Sequence, residues 1–199
     1  MVSIANRVPL SKRPLDFIYF LFFLVHIPAA LCVDLQVFYP ERWVPSPLKA
    51  LVAFYFQLSG DPMMRGAFNL IGHSSEFTWF KSLLGLEAVF SLPMFFIGAY
   101  GLYKNTPRVY LPLLIYAVAT TTTLVPVLGV VSTIGVQPGG TVWNVGSNFI
   151  KEGHRAQLFL AHGPFAVIPF IMSVDMAYRL SALLPWSHDD SVNSLKKTK

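Results

Sequence analysis

The chain has 199 residues, of which 54% are hydrophobic and only 13% charged, with a net charge of +5 and a mean hydropathy of +0.53. A soluble domain carries roughly twice that charged fraction, and no Asp, Glu, Lys or Arg occurs between Val109 and Ile150. The composition therefore excludes an ordinary soluble enzyme. The basic residues sit at chain ends and in short loops rather than in an aromatic-interleaved stripe, which excludes a nucleic-acid partner and points to the lipid bilayer.

A hydrocarbon core about 30 Å thick needs roughly 20 apolar residues in a helix. Four stretches meet this length: Leu15 to Val33, Ser82 to Tyr103, Val109 to about Val131, and about Ala156 to Leu184. The expected fold is all-α, a polytopic membrane protein with a four-transmembrane-helix bundle. It occupies residues 15–184, between an N-terminal segment, 1–14, and a tail, 185–199. The first run follows Arg7, Lys12 and Arg13 as a signal peptide would, but it is longer than a signal core, so a retained helix is expected.

Helices two and three are separated only by Lys104-Asn105-Thr106-Pro107, which demands an antiparallel hairpin. Between the first and second spans, the apolar piece Leu48 to Leu58 is too short to cross and is expected to lie in the interface or fold back. Asp61-Pro62 beside it has the form of a helix start, with Asp as the cap and Pro in the first turn. Residues 132–155, with Gln137-Pro138-Gly139-Gly140, are expected to form an exposed loop.

Orientation follows from Lys and Arg. Arg7, Lys12, Arg13, Lys104, Arg108, Arg179, Lys196, Lys197 and Lys199 fall on one side, against Arg42, Lys49, Arg65, Lys81, Lys151 and Arg155 on the other, so both termini are expected in the cytosol. The ending Lys196-Lys197-Thr198-Lys199 has the dilysine form read as an endoplasmic reticulum retrieval signal, with a generic basic tail as the plainer reading. The single cysteine, Cys32, cannot form an intrachain disulfide.

Asp16 and Asp175 lie near helix ends, where they are expected to reach water. Glu87 sits inside the second span and Asp34 ends the first. An ionised carboxylate in hydrocarbon costs about 2.5 to 3.5 kcal/mol unless it is paired, faces a cavity or stays protonated. Asp34 lies six residues beyond Pro28, and Glu87 lies six residues before Pro93. With a rise of 1.5 Å per residue, each acid is about 9 Å from its proline, so the two are level in oppositely directed helices. Two such carboxyls should share a proton, one donating a hydrogen bond to the other.

Each span carries an internal proline: Pro28, Pro93, Pro126 and Pro169. Each removes an intrahelical hydrogen bond and bends its helix, so the kinked bundle is expected to hold a cavity at mid-depth. Pro126 frees the carbonyl of Thr122, inside the run Thr120 to Thr123, whose hydroxyls could satisfy freed backbone or line that cavity. His26 is expected deeper than the acids and His162 near their level. No metal, nucleotide or Ser-His-Asp motif is legible, so no cofactor or metal is expected.

The ordered fragments His26-Ile27-Pro28, Asp34-Leu35-Gln36, Asp61-Pro62, Trp79-Phe80-Lys81-Ser82, Glu87 and Leu92-Pro93 continue with Tyr116, Thr122-Thr123-Leu124-Val125-Pro126 and Ile168-Pro169-Phe170. Over residues 15–182 they resemble the sigma-2 receptor family of the EXPERA domain group, which also contains emopamil-binding protein, a sterol isomerase. The resemblance implies an endoplasmic reticulum protein, a homodimer in many members, with an intramembrane pocket for a sterol or a hydrophobic amine. It implies that Asp34 pairs with the ligand ammonium and that Glu87 hydrogen-bonds to Asp34. His26, Ser91, Thr123, His162 and Phe165 are expected to complete the ligand contacts. Asp61 is also linked to binding in the family, but its position here favours capping. The chain departs from the family at Ser91, where the receptor has Gln, and at His162 and Phe165, where it has tyrosines. Isomerase chemistry needs a His and two Glu. Helix two has Leu83 one turn before Glu87 and helix three has no acid, so catalysis is disfavoured. A third expectation, from similar fungal proteins, is a partner of membrane proteins that assists delivery of mitochondrial precursors.

Overall fold

The computed structural model describes residues 8–137, 149–151 and 153–184. Four helical spans, Pro14–Phe38, Ser74–Tyr103, Pro107–Thr133 and His154–Leu183, are long and apolar enough to cross a membrane, with mean hydropathies of 2.1, 1.7, 1.9 and 1.5. The dilysine tail and the Pro138-Gly139-Gly140 stretch lie outside the described residues.

Helix α1 (Pro14–Cys32) begins with Pro14 at a position where a missing amide costs nothing. It ends one residue before Val33, whose φ of −127° and ψ of −65° break the helix. Asp34 therefore opens a short 3₁₀ turn, Asp34–Phe38, instead of closing the first span as expected. The apolar piece that follows is a helix, α2 (Ser46–Ser59), about 21 Å long and too short to cross. Gly60, at φ +59°, stops it in the left-handed conformation that glycine adopts without strain. Helix α3 (Pro62–Ala67) then folds back, capped by Asp61, which accepts from the amides of Met63 and Met64 as the sequence predicts.

The second span comprises α4 (Thr78–Leu86), a π-helical turn (Glu87–Ser91) and α5 (Leu92–Tyr103). Helix α6 (Tyr110–Thr133) and helix α7 (His154–Leu183) complete the bundle, with Pro126 inside the former and both Pro164 and Pro169 inside the latter. The α5–α6 hairpin is as tight as expected: Thr106 N–H donates to the Gly101 carbonyl at 3.0 Å. Any Cβ at Gly101 would meet Val109 Cγ2 at 2.5 Å. Residues beyond α6 are not simply an exposed loop. Strands β1 (Gly135–Gln137) and β2 (Phe149–Lys151) pair in parallel, and Ile150 packs into the interior because its apolar side chain finds Val131 and Leu158 there.

α1 packs along α5, and α6 along α7. Two cores result. One joins Phe23, Phe95, Leu102, Leu113, Tyr116 and Met172 toward the end of the bundle that bears the start of α1. The other joins Phe56, Met64, Phe80, Leu84, Val127 and Leu158 at the far end, where the α2–α3 hairpin closes the bundle.

Asp16 departs from expectation. It is 2% exposed and accepts from Arg13 and, at 2.7 Å, from Arg179, which also binds Asp175. The first turn of α1 faces the last turns of α7, so two guanidiniums reach Asp16 before water does. Arg13 also donates to the Leu102 carbonyl at 2.8 Å, tying the end of α5 into the same clamp.

Candidate functional site

Between the two cores lies a cavity of about 370 Å³, within the size range of ligand pockets. Its walls are mostly apolar, and all seven side chains expected to contact ligand line it: His26, Asp34, Glu87, Ser91, Thr123, His162 and Phe165.

Local chain geometry explains why Glu87 faces inward. Pro93 has no amide to donate to Val89, and Leu92 N–H reaches back to the Glu87 carbonyl, making the wider π turn. Such a turn shifts the register of side chains on a helix, and here it begins at Glu87. On the first span, the break at Val33 turns the chain so that Asp34 comes back toward His26. The nearest donor atoms of His26, Asp34 and Glu87 all lie within 4.8 Å of one another.

The partnering differs from the sequence expectation. The close polar neighbour of Glu87 is His26, with Nε2 at 3.2 Å from Oε1. His26 lines the cavity beside both acids. Its ring stacks on Phe95 at 4.4 Å and meets Phe165 at 4.5 Å, and it is 8% exposed. Among the described residues, no hydrogen bond reaches the Asp34 carboxylate.

A second polar group borders the same cavity. Asp61 is fully buried; its Oδ2 accepts from the Tyr55 hydroxyl at 2.9 Å and lies 3.0 Å from His162 Nε2. Burial by itself would push the Asp61 carboxyl up. The His162 hydrogen bond, the Met64 amide and the Tyr55 hydroxyl outweigh it and hold the carboxyl below its usual range. The capping expected of Asp61 is thus present, together with a contact to His162 that spacing did not indicate.

The threonine run behaves differently from one of its two expected roles. Thr121, Thr122 and Thr123 donate to the carbonyls of Ala117, Val118 and Thr120, not to the Thr122 carbonyl freed by Pro126. A helical threonine reaches only carbonyls three or four residues back, so it cannot serve one at or beyond its own position. Thr120 and Thr123 do line the cavity, in one stripe with Tyr116, Leu124 and Val127. Thr120 belongs to the run expected to line the cavity, and the spacing 116, 120, 123, 127 places Tyr116 on the same helical face. Tyr55 had no such signal, because only the α2–α3 reversal brings it inward.

Four apolar spans enclosing a ligand-sized cavity with acids on its wall define a multi-pass membrane protein with an internal site. The match to known proteins is specific: residues 47–176 fit the EXPERA (EXPanded EBP superfamily) model, and the chain belongs to that family. It is 30% identical over 170 residues to sigma intracellular receptor 2 of Macaca fascicularis, covering 85% of this chain and 90% of the relative. The human protein of that name is likewise 30% identical, over 169 residues, 84% of this chain and 90% of the relative. The efficient mitochondria targeting-associated protein 19 of Schizosaccharomyces pombe is 26% identical over 179 residues, 87% of this chain and 81% of the relative.

Proposed function

We propose that this protein is a non-enzymatic receptor for sterol-like lipids and hydrophobic amines, and that Asp34 is the counter-ion for the ligand's cationic group. The observation that carries the reading is the unequal partnering of the two acids on the cavity wall and of Asp61 just behind it. Glu87 has His26 and Asp61 has His162 and Tyr55, whereas nothing among the described residues donates to Asp34. An unpaired acid beside apolar walls is costly, and an ammonium on a hydrophobic body removes that cost while filling the cavity.

The test is binding of a long-chain alkylammonium to the purified protein. Asp34→Asn keeps the shape of the side chain and removes its charge, with an expected loss of about 2 to 5 kcal/mol in affinity. Undiminished affinity overturns the reading. The basic asymmetry and the dilysine ending support a reticulum location with both termini cytosolic, which protease protection of terminal tags in intact microsomes would check.

One observation favours a second reading. His26, Glu87 and Asp34 bring an imidazole and two carboxyls within 4.8 Å, the group types needed to move a proton across a sterol double bond. Turnover of a sterol with a movable ring double bond would establish isomerase activity, and its absence would end that reading. The name of the fission-yeast relative suggests a role in delivery to mitochondria; import defects unaffected by Asp34→Asn would favour that role over ligand handling.

A further inference from the structure

Asp61 fixes the proton on His162. A carboxylate only accepts, and Asp61 Oδ2 lies 3.0 Å from His162 Nε2, so the hydrogen between them belongs to Nε2. The Tyr55 hydroxyl on the same oxygen and the amides of Met63 and Met64 on the other hold the carboxylate in place. In the neutral imidazole, Nδ1 is then left with a lone pair and acts as an acceptor.

That nitrogen is available. The His162 ring lines the cavity, and its Nδ1 has no partner among the described residues. Asp34 stands on the wall of the same cavity.

We propose that His162, oriented by Asp61 and Tyr55, is a hydroxyl-reading subsite, and that the preferred ligand class is a hydrophobic amine that also carries a hydroxyl. The ammonium sits at Asp34 and the hydroxyl donates to His162 Nδ1. This rests on Asp34 as counter-ion but adds a separate contact made by a different residue. The competing explanation is that the Asp61–His162 pair only ties the α2–α3 turn to α7.

Three probes separate the two: dodecylamine, 1-aminododecan-2-ol and its O-methyl ether, titrated onto the full-length purified protein. The hydroxyl should raise affinity about fivefold over dodecylamine, the worth of one hydrogen bond, and the ether, which keeps the oxygen but cannot donate, should lose that gain. His162→Phe should bring the hydroxyl-bearing and plain amines to equal affinity. His162→Gln retains an amide donor for Asp61 and an oxygen for the ligand, and should keep most of the gain. If His162→Phe does not fold, the ether comparison on the parent protein decides. Equal affinities for all three probes, or a hydroxyl gain that survives in His162→Phe, overturn the subsite while leaving Asp34 in its role. Failure of every amine to bind overturns both.

Discussion

Replacing Asp61 with Ala tests whether the second polar group holds the far end of the bundle together. The carboxylate is fully buried and engaged on both oxygens. Loss of the cap on α3 costs about 1 kcal/mol. The Tyr55 hydroxyl and His162 Nε2 lose a buried acceptor, at about 1 to 3 kcal/mol each. The sum is about 3 to 7 kcal/mol, or a fall of about 10 to 20 °C in melting temperature for a chain of this length. Asp61→Asn keeps one oxygen for the cap and should lose about half as much. Thermal unfolding of the purified protein in one detergent measures both. The pH dependence has a definite sign: a carboxyl held below its usual range contributes its full stability above the unfolded value, about 3.9. That contribution is lost as pH falls through the lower native value. The gap between parent and Asp61→Asn should therefore shrink below about pH 4. A melting temperature for Asp61→Ala within about 2 °C of the parent would refute the reasoning.

Arg179→Met should destabilise by about 1 to 3 kcal/mol, because Asp16 and Asp175 lose a shared, half-buried partner; thermal unfolding and retention on gel filtration would show it. Pro93→Ala restores an amide that can donate to Val89, closing the π turn and rotating Glu87 away. Alkylammonium affinity should fall about tenfold although every cavity side chain is retained, and titration of the purified variant measures this.

Much of the fold was legible because lipid imposes one strong rule: a span must be long, apolar and internally hydrogen-bonded. The α5–α6 hairpin followed from four residues that leave no room for anything else. The α2–α3 reversal was only half visible. Its short apolar run and the Asp61-Pro62 start could be read, but the inward placement of Tyr55 depends on Gly60 adopting the left-handed conformation and on packing against Met64 and Leu158.

The site was legible in its membership and less so in its connections. Residues costly in lipid announce themselves, so Asp34, Glu87, His26 and His162 could be named. Their partners could not, because depth along ideal helices misses local breaks. The break at Val33 precedes Asp34 and the π turn begins at Glu87, so both acids sit where the chain departs from an ideal helix. Asp16 was misjudged for a related reason: nearness to a helix end suggested water, but Arg13 and Arg179, carried by two different helices, meet over it.

The central claim is that Asp34 is the cavity's one unmatched acid among the described residues and the counter-ion of its ligand. A structure of the protein with dodecylamine bound tests this most directly. The account predicts the ammonium within hydrogen-bond distance of the Asp34 carboxylate, with Glu87 still on His26 and the chain against Phe165. An ammonium resting on Glu87 or Asp61, with Asp34 untouched, would contradict it.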